Sequence, residues 1–249
     1  MASAETNASW RRITSALYYV AGALLLLGLL FGKRDEQGVN RIPKAVRMLS
    51  SALVLLCALV QRRAERDQLN LVAAGMGCGF LGDLIMAQIV PLPEHVLFGM
   101  LTFGIGHGCY IKAFIDRARS ASSASPHMRR SAFGAAWLVA LLGWLGLVRN
   151  PKIGAALNYG ALAYALLLAS MSGAAAALAA QDRRYLGPAI GGSLFLLSDL
   201  LLASRLFRGA HLEQIGDVVW MTYIIGQALI VDGMGLAQEE QRTKDREQA

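Results

Sequence analysis

Two acids stand where the sequence otherwise offers apolar side chains: Asp83 in "GFLGDLIMA" and Asp199 in "GGSLFLLSDLLLA". An ionised carboxylate at membrane depth costs at least about 2.5 to 3.5 kcal/mol on insertion scales, so each must face a protein interior or water and have a partner. Two acids that share a cavity can divide proton donation and acceptance between them. Burial and like-charge repulsion hold one protonated while the other stays ionised. The competing reading is a pair of buried acids that only hydrogen-bond neighbouring helices.

Further polar side chains fall within apolar runs. In "TFGIGHGCYI", His107 shares a helical face with Gly104 and Tyr110, so an imidazole and a phenol lie beside a thin surface. "TYIIGQALIV" contributes Tyr223 and Gln227, "NYGALAY" contributes Asn158 and Tyr159, and Ser198 precedes Asp199. A metal held by Asp83, His107 and Asp199 is conceivable, but no HExxH or CxxC spacing supports one, so no metal and no cofactor are expected. Phosphate loops and the GxSxG elbow are also missing. Cys57, Cys78 and Cys109 fall inside apolar segments and are expected to pack rather than pair.

The elements that must position these groups follow from composition. The 249 residues are 55% hydrophobic and 16% charged, with a mean hydropathy of +0.43, whereas soluble domains carry roughly a quarter charged residues. Apolar segments of the length needed to cross a hydrocarbon core run from Ile13 to Gly32, Ile42 to Val60, Leu71 to Val90, His95 to Ile115, Ala132 to Val148, Ile153 to Ala180, Tyr185 to Phe207 and Gly216 to Ala237. They lack the alternation of barrel strands, which predicts an all-α polytopic bundle of eight transmembrane helices in one domain. The tail over 238–249 and the loop "ARSASSASPHMRR" read as solvated, mobile segments.

A net charge of +7 does not imply nucleic acid here, because Lys and Arg in such a chain report topology. Loops on the N-terminal side carry fourteen of them and loops on the opposite side nine, with Lys112 uncounted near a helix end. That modest bias predicts both termini in the cytoplasm and, for a bacterial protein, a place in the inner membrane. Oligomeric state is not legible.

The helices after the two acids also match: Thr102, Phe103, Gly106 and His107 align with Thr222, Tyr223, Gly226 and Gln227. Gly75 and Gly191 each lie eight residues before their aspartate. Two parallel four-helix repeats would explain this, with sites near the repeat interface. Chance in a sequence so rich in Leu and Ala would explain it equally. Both acids are expected seven or eight residues inside the same face, or roughly 10 to 12 Å. Glycines such as Gly75, Gly79, Gly187 and Gly191 are expected to serve helix packing.

Together, "GFLGDLIMA", "FGMLTFGIGHGCYIKAF", "NYGALAYALLLASM", "GGSLFLLSDLLLA" and "WMTYIIGQALIV" resemble the YhhN-like lysoplasmalogenase family of small eight-helix membrane proteins. The matches run in order from Gly79 to Val231. A Lys that precedes a Pro at the start of the second helix in the family is reversed here, as Pro43 then Lys44. The resemblance implies hydrolysis of the vinyl ether bond of lysoplasmalogens to a fatty aldehyde and glycerophosphoethanolamine or glycerophosphocholine. Asp83 and Asp199 would be the acid–base pair. His107, Tyr110, Tyr159, Ser198, Tyr223 and Gln227 would support it, and Lys44, Arg47 or Arg205 would meet the headgroup. The lipid substrate and surrounding membrane lipids are the implied partners.

Two other classes stay open. Intramembrane acids and repeats also suit a proton-coupled transporter of lipids or small molecules, and an ester-cleaving lysophospholipase would release fatty acid in place of aldehyde.

Overall fold

The computed structural model describes residues 2–36, 38–64, 69–120, 126–210 and 213–247. Among these the chain is all-helical: α1 (Ala2–Phe31), α2 (Lys44–Ala64), α3 (Asn70–Met86), α4 (His95–Ser120), α5 (Pro126–Gly143), α6 (Ala155–Gln181), α7 (Leu186–Arg208) and α8 (Ile215–Glu247). A π-helical turn, Trp144–Val148, extends α5, and a 3₁₀ turn, Arg183–Tyr185, leads into α7. Seven of the described helices are long and apolar enough to cross a membrane, the pattern of a multi-pass membrane protein. Of the loop expected to be mobile, 118–120 end α4 and 126–130 begin α5, while 121–125 lie outside the described residues, as do 248–249 of the tail and Arg66 among the counted charges.

Two segments depart from the expected boundaries. The third span ends at Met86 rather than Val90, because Gln88 takes a left-handed backbone (φ 55) and Pro91 and Pro93 cannot continue a helix. That leaves α3 at 17 residues. At the other end of the chain, α8 continues past Ala237 to Glu247, and Gln238 in that extension is buried. An Arg11–Glu239 ion pair ties the extension to the start of α1.

Neighbouring helices pack as antiparallel pairs. Beside α2, α3 runs back along its length: the Arg62 Nε donates to Asn70 Oδ1 at 2.5 Å at one end, and the Lys44 Nζ donates to the Ala87 carbonyl at 3.1 Å at the other. The main helix contacts come in matched sets: α1–α2 with α5–α6, α2–α3 with α6–α7, α3–α4 with α7–α8, and α2–α8 with α4–α6. Glycines set the tightest approaches. A Cβ on Gly106 would lie 2.9 Å from the Gly75 carbonyl, and one on Gly226 would lie 2.7 Å from the Gly191 carbonyl. These are the glycines that align between the two halves of the sequence.

The outer surface is apolar, with Trp137, Leu138, Val139 and Leu142 of α5 exposed, while α6 is buried along most of its length. Loops are pinned by specific caps. Asp217 accepts the backbone N–H of Arg41 at 2.6 Å and of Ile42 at 3.0 Å, fastening the turn before α2 to the first turn of α8. Gly209, at φ 65, terminates α7 with its N–H bonded to the Arg205 carbonyl at 3.0 Å.

Candidate active site

A cavity of about 650 Å³ opens at the end of the bundle where α2 and α8 begin and α3 and α7 end. Asp83 and Asp199 both line it. Helix α3 ends about one turn beyond Asp83, and α7 runs more than two turns beyond Asp199. Both line the one cavity, and Lys44 holds the turn after α3 through the Ala87 carbonyl.

The two carboxylates have different surroundings. Asp83 is 4% exposed, and its Oδ2 accepts two hydroxyls: Ser51 of α2 at 2.5 Å and Tyr223 of α8 at 2.9 Å. Behind Tyr223 the network continues, with the Gln227 Nε2 donating to the Tyr223 hydroxyl at 3.4 Å and the Tyr110 hydroxyl donating to Gln227 Oε1 at 2.7 Å. Gly79 makes room for this chain, since a Cβ there would lie 2.7 Å from Gln227 Nε2. Asp199 is less enclosed, and its Oδ2 accepts one hydroxyl, from Tyr164 of α6 at 2.7 Å. The same Tyr164 oxygen lies 3.2 Å from His107 Nε2.

Aromatic rings close the inner wall. Phe195 meets His107 edge to face at 4.8 Å between centroids and Tyr223 at 5.0 Å, and Phe103 approaches Tyr223 at 6.0 Å. The outer end is charged, with Asp35, Glu36, Lys44, Arg47 and Arg205 all on the lining. The Arg47 guanidinium lies 5.9 Å from the centroid of the Trp220 ring and donates to Asn40 Oδ1 at 3.0 Å, while its buried Nε has no partner. Asp35 organises the adjoining loop. Its slight burial alone would raise its carboxyl, but the Asn40 side chain and the backbone N–H groups of Asn40 and Val39 outweigh this and hold it below its usual range.

The structure thus gathers most of the polar residues singled out in the sequence. Asp83, Asp199, Ser198, Tyr223 and the three basic residues line the cavity, and His107, Tyr110 and Gln227 stand behind it as hydrogen-bond partners. Ser198 gives its hydroxyl proton to the Val219 carbonyl at 2.9 Å, a contact that joins α7 to α8. Tyr159 is the exception. It is 64% exposed and stacks on Trp144 at the bundle periphery, because α6 turns it away from the cavity. Asn158 instead braces the turn before α6, donating to the Asn150 carbonyl at 2.8 Å.

Two hydrogen-bond partners escaped the sequence reading. Tyr164, five residues beyond Tyr159 in "NYGALAYALL", occupies the inward face, and only the helical phase of that run relative to Asp199 could have selected it. Ser51 is one of two serines in an ordinary-looking "LSSAL" stretch and carried no signal of its own. Among the described residues no three His, Cys, Asp or Glu side chains cluster as a metal site requires, and His107 is directed at Tyr164 rather than at a shared ligand position with the acids.

No curated protein and no solved structure matches the chain. Residues 44–234, from the first residue of α2 to well within α8, match the sequence model of the YhhN family. That span contains both acids, all of their hydrogen-bond partners and every glycine of the two tight helix crossings, and the chain belongs to the YhhN family.

Proposed function

We propose that this protein is a lysoplasmalogenase, a membrane hydrolase that cleaves the vinyl ether bond of lysoplasmalogens to a fatty aldehyde and a glycerophosphoethanolamine or glycerophosphocholine. The observation that carries the reading is the presence of two carboxylates on one cavity that is apolar within and charged at its opening. Membership of the YhhN family agrees with it. A vinyl ether hydrolyses by protonation of its β-carbon, which leaves an oxocarbenium ion. Water captures the ion as a hemiacetal, which collapses to aldehyde and alcohol. The reaction needs a proton donor, a nearby negative charge and a positioned water, and Asp83 and Asp199 supply the first two.

In this reading the alkenyl chain lies among the aromatic and aliphatic side chains of the cavity. The headgroup phosphate meets Lys44, Arg47 and Arg205 at the opening. Arg47 is the strongest of the three, with its buried Nε–H unpartnered and its guanidinium held by Asn40 and Trp220. Lys44 is already engaged with the Ala87 carbonyl. Matched helix contacts and paired glycines support reading the two halves as parallel repeats with the site between them.

The test is product identity. Purified protein incubated with a 1-alkenyl lysophospholipid should release fatty aldehyde, identified by mass spectrometry. Asp83→Asn and Asp199→Asn should each lower the rate by about 10²–10⁴-fold, the usual worth of a general acid or base. Fatty acid released from acyl lysolipids in place of aldehyde would identify an esterase, and intact substrate across both classes would favour a transporter. Near wild-type turnover by either correctly folded variant would end the two-acid mechanism.

A further inference from the structure

The two carboxylates carry different hydrogen bonds, and the difference bears on which one gives the proton. Asp83 is almost fully enclosed, and two hydroxyl donors, from Ser51 and Tyr223, converge on one of its oxygens. Donors that converge on a carboxylate favour its charged form, in opposition to the enclosure, which favours the neutral one. Asp199 is more open to the cavity and takes a single donor, Tyr164, on Oδ2. Tyr164 has one proton to give and directs it at Asp199, so its contact with His107 must run the other way, with the imidazole Nε2–H donating to the Tyr164 oxygen. His107 and Tyr164 therefore orient Asp199 through Oδ2 alone.

We infer that the roles are fixed by position: Asp199, oriented by Tyr164 and His107, gives its proton to the substrate carbon, and Asp83, held by Ser51 and Tyr223, is the carboxylate that faces the resulting cation. The inference rests on the hydrolase reading above. In the first step the π pair of the vinyl ether takes the Asp199 proton, a C–H bond forms, and Asp199 is left as carboxylate. Water then adds to the oxocarbenium carbon and passes its proton to Asp83. As the hemiacetal collapses, Asp199 takes the hydroxyl proton, the bond to the glycerol oxygen breaks, and that oxygen receives the proton from Asp83. One water is consumed and both acids return to their starting forms. Tyr164 and His107 are positioning residues in this scheme, since they act through Asp199.

Chemical rescue separates the roles. In Asp199→Ala, aldehyde release should rise in proportion to the undissociated form of added formic acid, measured at several pH values. In Asp83→Ala it should follow the formate anion. Tyr164→Phe should lower kcat about tenfold or more with KM nearly unchanged, because it leaves the acid in place but unoriented. The reverse rescue pattern, or rescue of neither variant together with a Tyr164→Phe protein indistinguishable from wild type, overturns the assignment while leaving the hydrolase intact. A wild-type protein that releases no aldehyde overturns the hydrolase reading itself, and the assignment with it.

Discussion

At the scale of single residues, the site depends on which hydroxyl reaches which carboxylate. Asp83 and Asp199 were conspicuous in the sequence because charge within an apolar run is expensive. His107, Tyr110, Tyr223 and Gln227 stood out because they share motifs with glycines at helical spacing. Tyr164 and Ser51 did not, since a tyrosine or serine inside a helix says nothing of its partner until the helices are docked. Gly79 illustrates how much a missing side chain can matter. A methyl there would press on the tips of Gln227 and Tyr223 rather than on backbone, so the fold should survive while the donors to Asp83 shift. Gly79→Ala should lower turnover by as much as about 10²-fold, the scale of a 1 Å misplacement. Gly77→Ala, whose methyl would meet only Leu55 at 3.9 Å, should leave it unchanged in the same aldehyde assay.

At the scale of elements, apolar length and charge located the helices well and their ends poorly. Hydropathy carried the third span through Ile89 and Val90, although a left-handed Gln88 and two prolines had already ended it. It closed α8 at Ala237, although contacts between the polar extension and α1 continue the helix. Glycine spacing was more informative, because Gly75, Gly106, Gly191 and Gly226 sit where two pairs of helices come closest. Gly191→Ala would bring a methyl to 2.5 Å from the Gly226 carbonyl, a backbone atom that can move only with α8. It should destabilise the protein by about 1–3 kcal/mol, the usual penalty of overpacking. Gly108→Ala, with nothing within 4 Å of the new atom, serves as the neutral control. Thermal unfolding in detergent measures both.

At the scale of the whole molecule, the Arg11–Glu239 ion pair brings the start of α1 and the end of α8 to one end of the bundle, and the cavity opens at the other. With the termini in the cytoplasm, as the charge bias predicts, the cavity faces the opposite side of the membrane. In intact expressing cells, a membrane-impermeant thiol reagent should label Glu213→Cys and should reach Lys244→Cys only after permeabilisation. The opposite pattern would invert the topology.

The matched sets of helices also differ at the site. Phe103 stands in α4 at the position aligned with Tyr223 in α8, and His107 at the position aligned with Gln227, so the aligned positions differ by a hydroxyl and by an imidazole. Two identical acids in identical settings would have no reason to pass a proton one way rather than the other. On the role assignment proposed above, these differences make the two carboxylates unequal, so that one gives the proton and the other receives it.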